Sequence, residues 1–98
     1  MLIGDGDEIS RRLREAQLST AGFRVSVART GFEAIVKASC HMPNVILLDE
    51  SLVDIDAEET ERMISTCPAT SHIQVVRLAS NPTLLPRRVL VIVREAAL

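Results

Sequence analysis

The segment formed by residues 43–56 constrains the fold of this chain more than any other part. Within it, the apolar residues 45–48 lie between Pro43 and the acid Asp49. A continuous apolar run of this length is typical of a strand buried on both faces of a parallel sheet. Ligands in such sheets bind beyond the carboxyl ends of the strands, where Asp49 would lie. Because a carboxylate is costly to desolvate, Asp49 either remains solvated or has a cation, a donor or a reaction beside it.

Segments with strand and helix patterns alternate along most of the chain. Residues 23–27 alternate between apolar and polar, as a half-buried strand does, and Thr30 is placed to cap a helix. The alternation predicts a parallel sheet with right-handed helical crossovers. The expected strands are residues 1–4, 23–27, 45–48 and 73–79, and the expected helices are residues 8–21, 30–39 and 57–66.

The spacing of apolar residues predicts which side of the first two helices faces the core. In the first helix, the residues at helical spacing are Ile9, Leu13, Ala16 and Thr20. In the second helix, they are Ala34, Ile35 and Ala38. In the first helix, charged residues lie between these positions.

The final part of the chain breaks the alternation. Residues 80–88 contain Pro82 and Pro86 and have no convincing helical pattern, whereas residues 89–93 form a run rich in β-branched residues that predicts a strand. A parallel crossover usually needs about a dozen residues. The last strand is therefore expected either to pair antiparallel with the fourth or to follow a stretched loop. An apolar surface left by a lost helix predicts self-association through residues 77–98.

Length and composition limit the possible classes of protein. A chain of 98 residues supports one domain, residues 1–98, in which residues 81–98 are an atypical C-terminal segment. The net charge of −2 and the two aromatic residues argue against binding of nucleic acid. Cys40 and Cys67 lack a metal-binding spacing and are expected to be reduced. No apolar run spans a bilayer and no signal peptide is recognisable, so we expect no membrane contact and a cytoplasmic location.

Four blocks of the sequence, in their order and spacing, resemble the receiver domain of bacterial response regulators. They are LIGDGDEISRRLREA, AGFRVSVARTGFEAI, PNVILLDESLVDID and PATSHIQVVRLAS. The resemblance implies an α/β fold of the flavodoxin-like, CheY-like type: a doubly wound, mainly parallel sheet with strand order 2-1-3-4-5. The fourth helix is expected to be reduced or absent. The resemblance also implies signalling in a two-component phosphorelay, with a histidine kinase or another signalling protein as partner.

The same resemblance implies a site at the carboxyl edge of the sheet. In the family, the third strand ends in the aspartate that accepts a phosphoryl group, and Asp49 stands there. The family binds Mg²⁺ through two acids after the first strand and a backbone carbonyl two residues beyond the phosphoacceptor. Asp5 matches the first acid, and Ser51 supplies the carbonyl. Mg²⁺ prefers such oxygen ligands and screens the charge of an incoming phosphoryl group.

Several positions depart from the family pattern and predict that Mg²⁺ binds weakly, or not at all, at Asp5 and Asp49. Gly6 replaces the second acid; Asp7 either compensates or, as its place before a helix favours, supplies N-terminal charge. Ala79 stands where the family has the Thr or Ser that contacts the phosphoryl group. The family's Lys at the end of the fifth strand has only Arg94 as a replacement, provided that the last strand is parallel.

Other polar residues have a structural reading beside a functional one. Asp54 and Asp56 suggest either a further metal site or, more simply, a solvated loop with a cap for the third helix. His41 and His72 are expected at the surface. Arg77 lies within the fourth strand, either on a face exposed by the lost helix or at a sheet edge where its charge reaches water.

Three functions are compatible with these residues. The first is a working receiver phosphorylated at Asp49, and the second is a degenerate receiver that acts as an interaction or dimerisation module. The third is a small metal-dependent phosphatase built on Asp5, Asp7 and Asp49, which lacks an evident general acid. We favour a receiver-like domain with impaired or absent phosphorylation switching, with at most Mg²⁺-dependent self-phosphorylation and dephosphorylation. Repulsion between Asp5 and Asp49 predicts that Asp49→Asn leaves stability unchanged or raises it.

Overall fold

Strands and helices alternate through the computed structural model, which describes residues 1–79 and 84–97. The elements are β1 (Leu2–Gly4), α1 (Glu8–Thr20), β2 (Ser26–Ala28), α2 (Gly31–His41), β3 (Val45–Asp49), α3 (Ala57–Thr66), β4 (Gln74–Leu78) and α4 (Arg87–Ala96). The predicted α/β class is therefore confirmed, and the third strand and third helix begin where the sequence places them.

The four strands form one parallel sheet in the order β2-β1-β3-β4. Strand β3 is buried along its whole length, as its apolar sequence predicts. Gly4 of β1 lies opposite Leu48 of β3, so the residues that follow them meet at the same edge of the sheet. This order agrees with the flavodoxin-like, CheY-like prediction for the first four strands.

Side-chain caps fix the starts of three helices. A short polar side chain before each helix accepts a hydrogen bond from a backbone N–H in the first turn, which would otherwise lack a partner. The caps are Asp7 for α1, Thr30 for α2 and Asp56 for α3. The predicted roles of Thr30 and Asp56 are thus confirmed, and Asp7 serves the start of a helix.

Apolar side chains fill the space on both faces of the sheet. On one face Ile46 and Leu48 contact α2 and α3, including Ala34, Ala38 and Ile64. On the other face Ile3, Val45 and Leu47 form a cluster with Leu18 of α1 and with Val89 and Val93 of α4. Successive residues of β3 therefore supply opposite cores, as strand geometry requires.

The buried face of α1 differs from the predicted one. Ile9 is 65% exposed and Leu13 is 40% exposed, whereas the buried residues of the helix are Ser10, Arg11, Arg14 and Leu18. The apolar spacing predicted the wrong face because one end of α1 lies over the carboxyl edge of the sheet. There Arg11 and Arg14 are buried and find hydrogen-bond partners on Asp5 and Asp49.

Residues 89–93 form part of helix α4, so the prediction of a fifth strand there is wrong. Val89 and Val93 are one helical turn apart and are both buried, while Val91 between them is 46% exposed. No strand follows β4 in the described residues, so neither the antiparallel nor the parallel pairing expected for residues 89–93 occurs. Relative to the five-stranded arrangement, the described residues lack the last strand and retain a final helix. Ser80, Asn81, Pro82 and Thr83 lie outside the described residues.

Strand β4 lies at the edge of the sheet, and its exposed Arg77 reaches acids on neighbouring segments. Its Nε lies 3.4 Å from Glu61 Oε1 and 3.7 Å from Glu50 Oε1, and its Nη1 lies 4.0 Å from Glu58 Oε2. The Arg77 side chain is 40% exposed. The edge-strand interpretation of Arg77 is therefore the correct one.

The histidines and cysteines of the chain lie at its surface. His41 and His72 are exposed, as expected. Cys40 and Cys67 are exposed free thiols, and a hydrogen bond from the backbone of Ala69 lowers the pKa of Cys67. Among residues 1–79 and 84–97 no helix has the length and apolar character needed to cross a membrane.

Two identical substitutions in α4 test its helical packing. Val93→Ala removes buried methyl groups, and we expect the free energy of unfolding to fall by about 1–3 kcal/mol. Val91→Ala alters an exposed position of the same helix and should change it by less than about 0.5 kcal/mol. Urea unfolding of both variants measures the difference. Equal losses would indicate a strand, in which both residues share a face.

Candidate functional site

Two buried acids meet at the carboxyl edge of the sheet. Asp5 directly follows β1 and Asp49 is the last residue of the adjacent strand β3. Both residues are 0% exposed. The prediction that Asp5 and Asp49 lie together is therefore met, and they lie in an enclosed rather than an open site.

Asp5 is held by four hydrogen bonds to its carboxylate. Its Oδ1 accepts from the backbone N–H of Asp7 and from Ser51 Oγ, each at 2.9 Å. Its Oδ2 accepts from Ser10 Oγ at 2.5 Å and from Arg14 Nη1 at 3.2 Å. Because a carboxylate offers about four acceptor positions, the protein itself satisfies Asp5.

Arg14 lies between the two acids. Its Nη1 donates to Asp49 Oδ2 as well as to Asp5, and its Nη2 donates to the backbone carbonyl of Ala79 at 3.3 Å. The other oxygen of Asp49, Oδ1, accepts from the backbone N–H of Ser51 at 2.8 Å. The Arg14 side chain is only 4% exposed. One guanidinium therefore links the ends of three neighbouring strands.

A second arginine completes the charge balance of this site. Arg11 is 7% exposed, and its Nη1 donates to the backbone carbonyl of Asp5 at 3.2 Å. The buried group thus contains the carboxylates of Asp5 and Asp49 and the guanidiniums of Arg11 and Arg14. Two negative and two positive charges balance without any further ion. Buried charges are tolerated when they are paired in this way.

The residues present do not fit a resident divalent cation. The acceptor positions of Asp5 are taken by protein donors, and the guanidinium of Arg14 lies between the two carboxylates. The Ser51 carbonyl lies against Gly6, where an added Cβ would come within 2.5 Å of the carbonyl oxygen. In the described part of the chain, no cluster of three or more Asp, Glu, His or Cys residues is arranged to hold a metal.

The other sequence-predicted site residues have separate positions. Asp7 Oδ1 accepts from the backbone N–H of Ile9, so its carboxylate is a helix cap. Ala79 joins the cluster through its backbone carbonyl only. Arg94 is exposed in the last turn of α4, so the parallel strand that its predicted role required does not exist. Asp54 accepts from the backbone N–H groups of Gly31 and Ile55 and stabilises a loop.

Sequence reasoning missed Ser10, Arg11 and Arg14 as members of the site. Arg11, Arg14 and Leu18 recur at intervals of three and four residues, which is the spacing of one helical face. The spacing therefore indicated the buried face, but only apolar residues were counted toward that face, and Arg11 and Arg14 are charged. The presence of Arg14 also removes the premise that Asp5 and Asp49 simply repel each other, since a positive charge lies between them.

Comparisons with known proteins agree with the arrangement of strands. No protein-family model matches the chain. Response regulator PleD of Caulobacter vibrioides, in two strains, is 34% identical over 80 residues, which cover 82% of this chain and 18% of PleD. The chain therefore spans less than a fifth of the length of these curated relatives.

Solved structures with the same fold include three response regulators. The N-terminal domain of a response regulator receiver protein from Methanoculleus marisnigri JR1 gives a TM-score of 0.78 at 24% identity, covering 96% of this chain and 89% of that one. The bacteriophytochrome response regulator AtBRR gives 0.70 at 26%, covering 97% and 74%. The Mn²⁺-bound form of response regulator Rcp1 gives 0.68 at 24%, covering 97% and 73%. Sequence and fold together confirm the resemblance to response-regulator receiver domains.

The contact between Gly6 and Ser51 is directly testable. In Gly6→Ala, the new Cβ would lie 2.5 Å from the Ser51 carbonyl oxygen, so the loop after β3 would have to shift. Such overpacking typically costs about 1–3 kcal/mol, and we expect a loss of that size in urea unfolding. A variant as stable as the wild type would show that this loop adjusts freely around a Cβ at position 6.

Proposed function

We propose that this homologue of response-regulator receiver domains is a signalling domain whose phosphorylation switching at Asp49 is impaired or absent. The observation that carries the proposal is the contact of the buried Arg14 guanidinium with Asp49 and Asp5. The partner is a histidine kinase or another signalling protein, which binds the domain without depending on a phosphorylated state. The expected cytoplasmic location belongs to the same proposal.

The position of Asp49 supports descent from a phosphoacceptor. It ends the central strand β3, beside the acid that follows β1, in a chain that shares sequence with PleD. These features match the implied receiver site at Asp49 and Asp5. They support the receiver assignment rather than a phosphatase, because Asp7 is engaged as a helix cap and the metal ligands that a phosphatase needs are not assembled in the described residues.

The environment of Asp49 supports impaired phosphorylation. Both of its oxygens accept hydrogen bonds, one from Ser51 and one from Arg14, and its side chain has no exposed surface. A nucleophilic oxygen must be reachable, and a hydrogen bond from a cation weakens it as a nucleophile. Charge-assisted hydrogen bonds are among the strongest in proteins, so the contact with Arg14 opposes attack by Asp49.

The groups that would receive a phosphoryl group are also altered. Ala79 lacks the hydroxyl that the family places after its fourth strand, and Arg94 is on the exposed side of α4. We therefore propose that Mg²⁺ binds weakly or not at all through Asp5, Asp49 and the Ser51 carbonyl. No enzymatic activity beyond residual self-phosphorylation and dephosphorylation is part of this proposal.

Self-association through residues 77–98 stays a prediction, but its basis has changed. The expected apolar strand is a helix whose Val89 and Val93 are buried within the chain. The surface that remains in the described part of this region comprises the edge of β4 and the exposed Leu84 and Val91. In the described part of this region only two large apolar side chains are exposed, so a pure dimerisation function is the weaker alternative.

Intact-mass measurement after incubation with acetyl phosphate and MgCl₂ tests the proposal. A fully active receiver domain treated in parallel defines complete phosphorylation. We expect this chain to gain at most a small fraction of one phosphoryl group, because Asp49 is buried and bonded to Arg14. Asp49→Asn should remove whatever fraction appears. Stoichiometric, Asp49-dependent phosphorylation of the wild type would contradict the proposal.

A further inference from the structure

We infer that Arg14 is the resident cation of the carboxylate site and that it excludes divalent metal ions from Asp5 and Asp49. The inference rests on the proposed function in one respect only, since it concerns the same site. It adds the physical cause of the impairment and predicts the affinity of the site for divalent metal ions, which a phosphorylation measurement does not report. The site is assembled and electrically balanced by the chain's own side chains.

The contacts of Arg14 are those of a bridging ion. Its guanidinium donates to Asp5 after β1, to Asp49 at the end of β3, and to the carbonyl of Ala79 after β4. All three acceptors belong to segments at the same edge of the sheet. A guanidinium is suited to this task because it is planar, always charged and carries five donors.

The helix that carries Arg14 is anchored by the two residues Gln17 and Leu18 in the turn that follows it. Leu18, one turn later, is fully buried in the core between α1, α4 and the sheet. Gln17 forms two hydrogen bonds with the backbone of Leu85, accepting at 2.6 Å and donating at 3.2 Å. Its anchored helix holds the guanidinium at the site, so its local concentration does not depend on ions in solution.

Metal binding would require this arrangement to be undone. A divalent ion at Asp5 and Asp49 would add two positive charges to a group that Arg11 and Arg14 already neutralise. It would also have to displace donors from Asp5, whose acceptor positions are occupied. Removing Arg14 changes both conditions. Two adjacent buried carboxylates would then lack their shared cation, and such oxygen ligands favour Mg²⁺ and Mn²⁺.

Calorimetric titration of the full chain with MnCl₂ tests the inference. The variants are Arg14→Met and Arg12→Met; Arg12 is on the same helix, but its side chain is 75% exposed and forms an ion pair with Glu8. We expect no binding to wild type or Arg12→Met into the millimolar range. Arg14→Met should bind Mn²⁺ at least about tenfold more tightly than either. Equal affinities of wild type and Arg14→Met would overturn the inference.

Thermal unfolding in EDTA and in MgCl₂ gives a second readout. In EDTA, Arg14→Met should unfold at a lower temperature than the wild type, and MgCl₂ should restore that temperature. The unfolding temperature of the wild type should be the same in both buffers. A variant that folds only with Mg²⁺ is the extreme form of the same result. If Arg14→Met folds in neither buffer, the wild type decides. Its indifference to Mg²⁺ supports the inference, and stabilisation by Mg²⁺ that Asp49→Asn abolishes overturns it.

The two proposals can fail separately. Phosphorylation of a wild type that binds no Mn²⁺ would refute the impaired switching and leave Arg14 as the resident cation. Conversely, a wild type that binds Mn²⁺ but is not phosphorylated would refute the role of Arg14 and leave the impaired switching intact. The combination of mass measurement and titration therefore identifies which statement is wrong.

Discussion

Two carboxylates that end neighbouring parallel strands and lie out of reach of water need a positive charge between them. In this chain Arg14 supplies that charge from helix α1. The buried ion pair links the ends of β1 and β3 and, through the carbonyl of Ala79, the end of β4. Removing one partner of a buried ion pair typically costs about 3–5 kcal/mol. The closed form of the carboxyl edge depends on this contact.

The rest of the site follows from the same contact. Ser51 bonds both acids, through its hydroxyl to Asp5 and its backbone N–H to Asp49. Its carbonyl lies close against Gly6, which leaves no space for a side chain at that position. The features that depart from a phosphorylatable receiver are therefore connected: the absent second acid, the closed loop and the buried arginine occur at one place. Together they form a buried, charge-balanced group at the carboxyl edge of the sheet.

The sequence predicted the sheet well because its signals are local. Residues 45–48 have the continuous apolar pattern of a central strand, and Thr30 and Asp56 have the hydrogen-bonding groups of helix caps. Two elements were predicted wrongly because their patterns are ambiguous. Val89 and Val93 are four residues apart, a spacing that suits both one helical turn and alternate strand positions. The face of α1 depends on Arg14, whose burial becomes favourable only when Asp5 and Asp49 are brought together by the folded sheet.

A crystal structure of the wild-type chain grown in the presence of MnCl₂, with an anomalous difference map, shows which cation lies between the two carboxylates. The proposed role of Arg14 predicts density for its guanidinium between Asp5 and Asp49, contact with the Ala79 carbonyl, and no anomalous peak at the site. A manganese peak coordinated by Asp5 and Asp49, with Arg14 turned away from them, would contradict it.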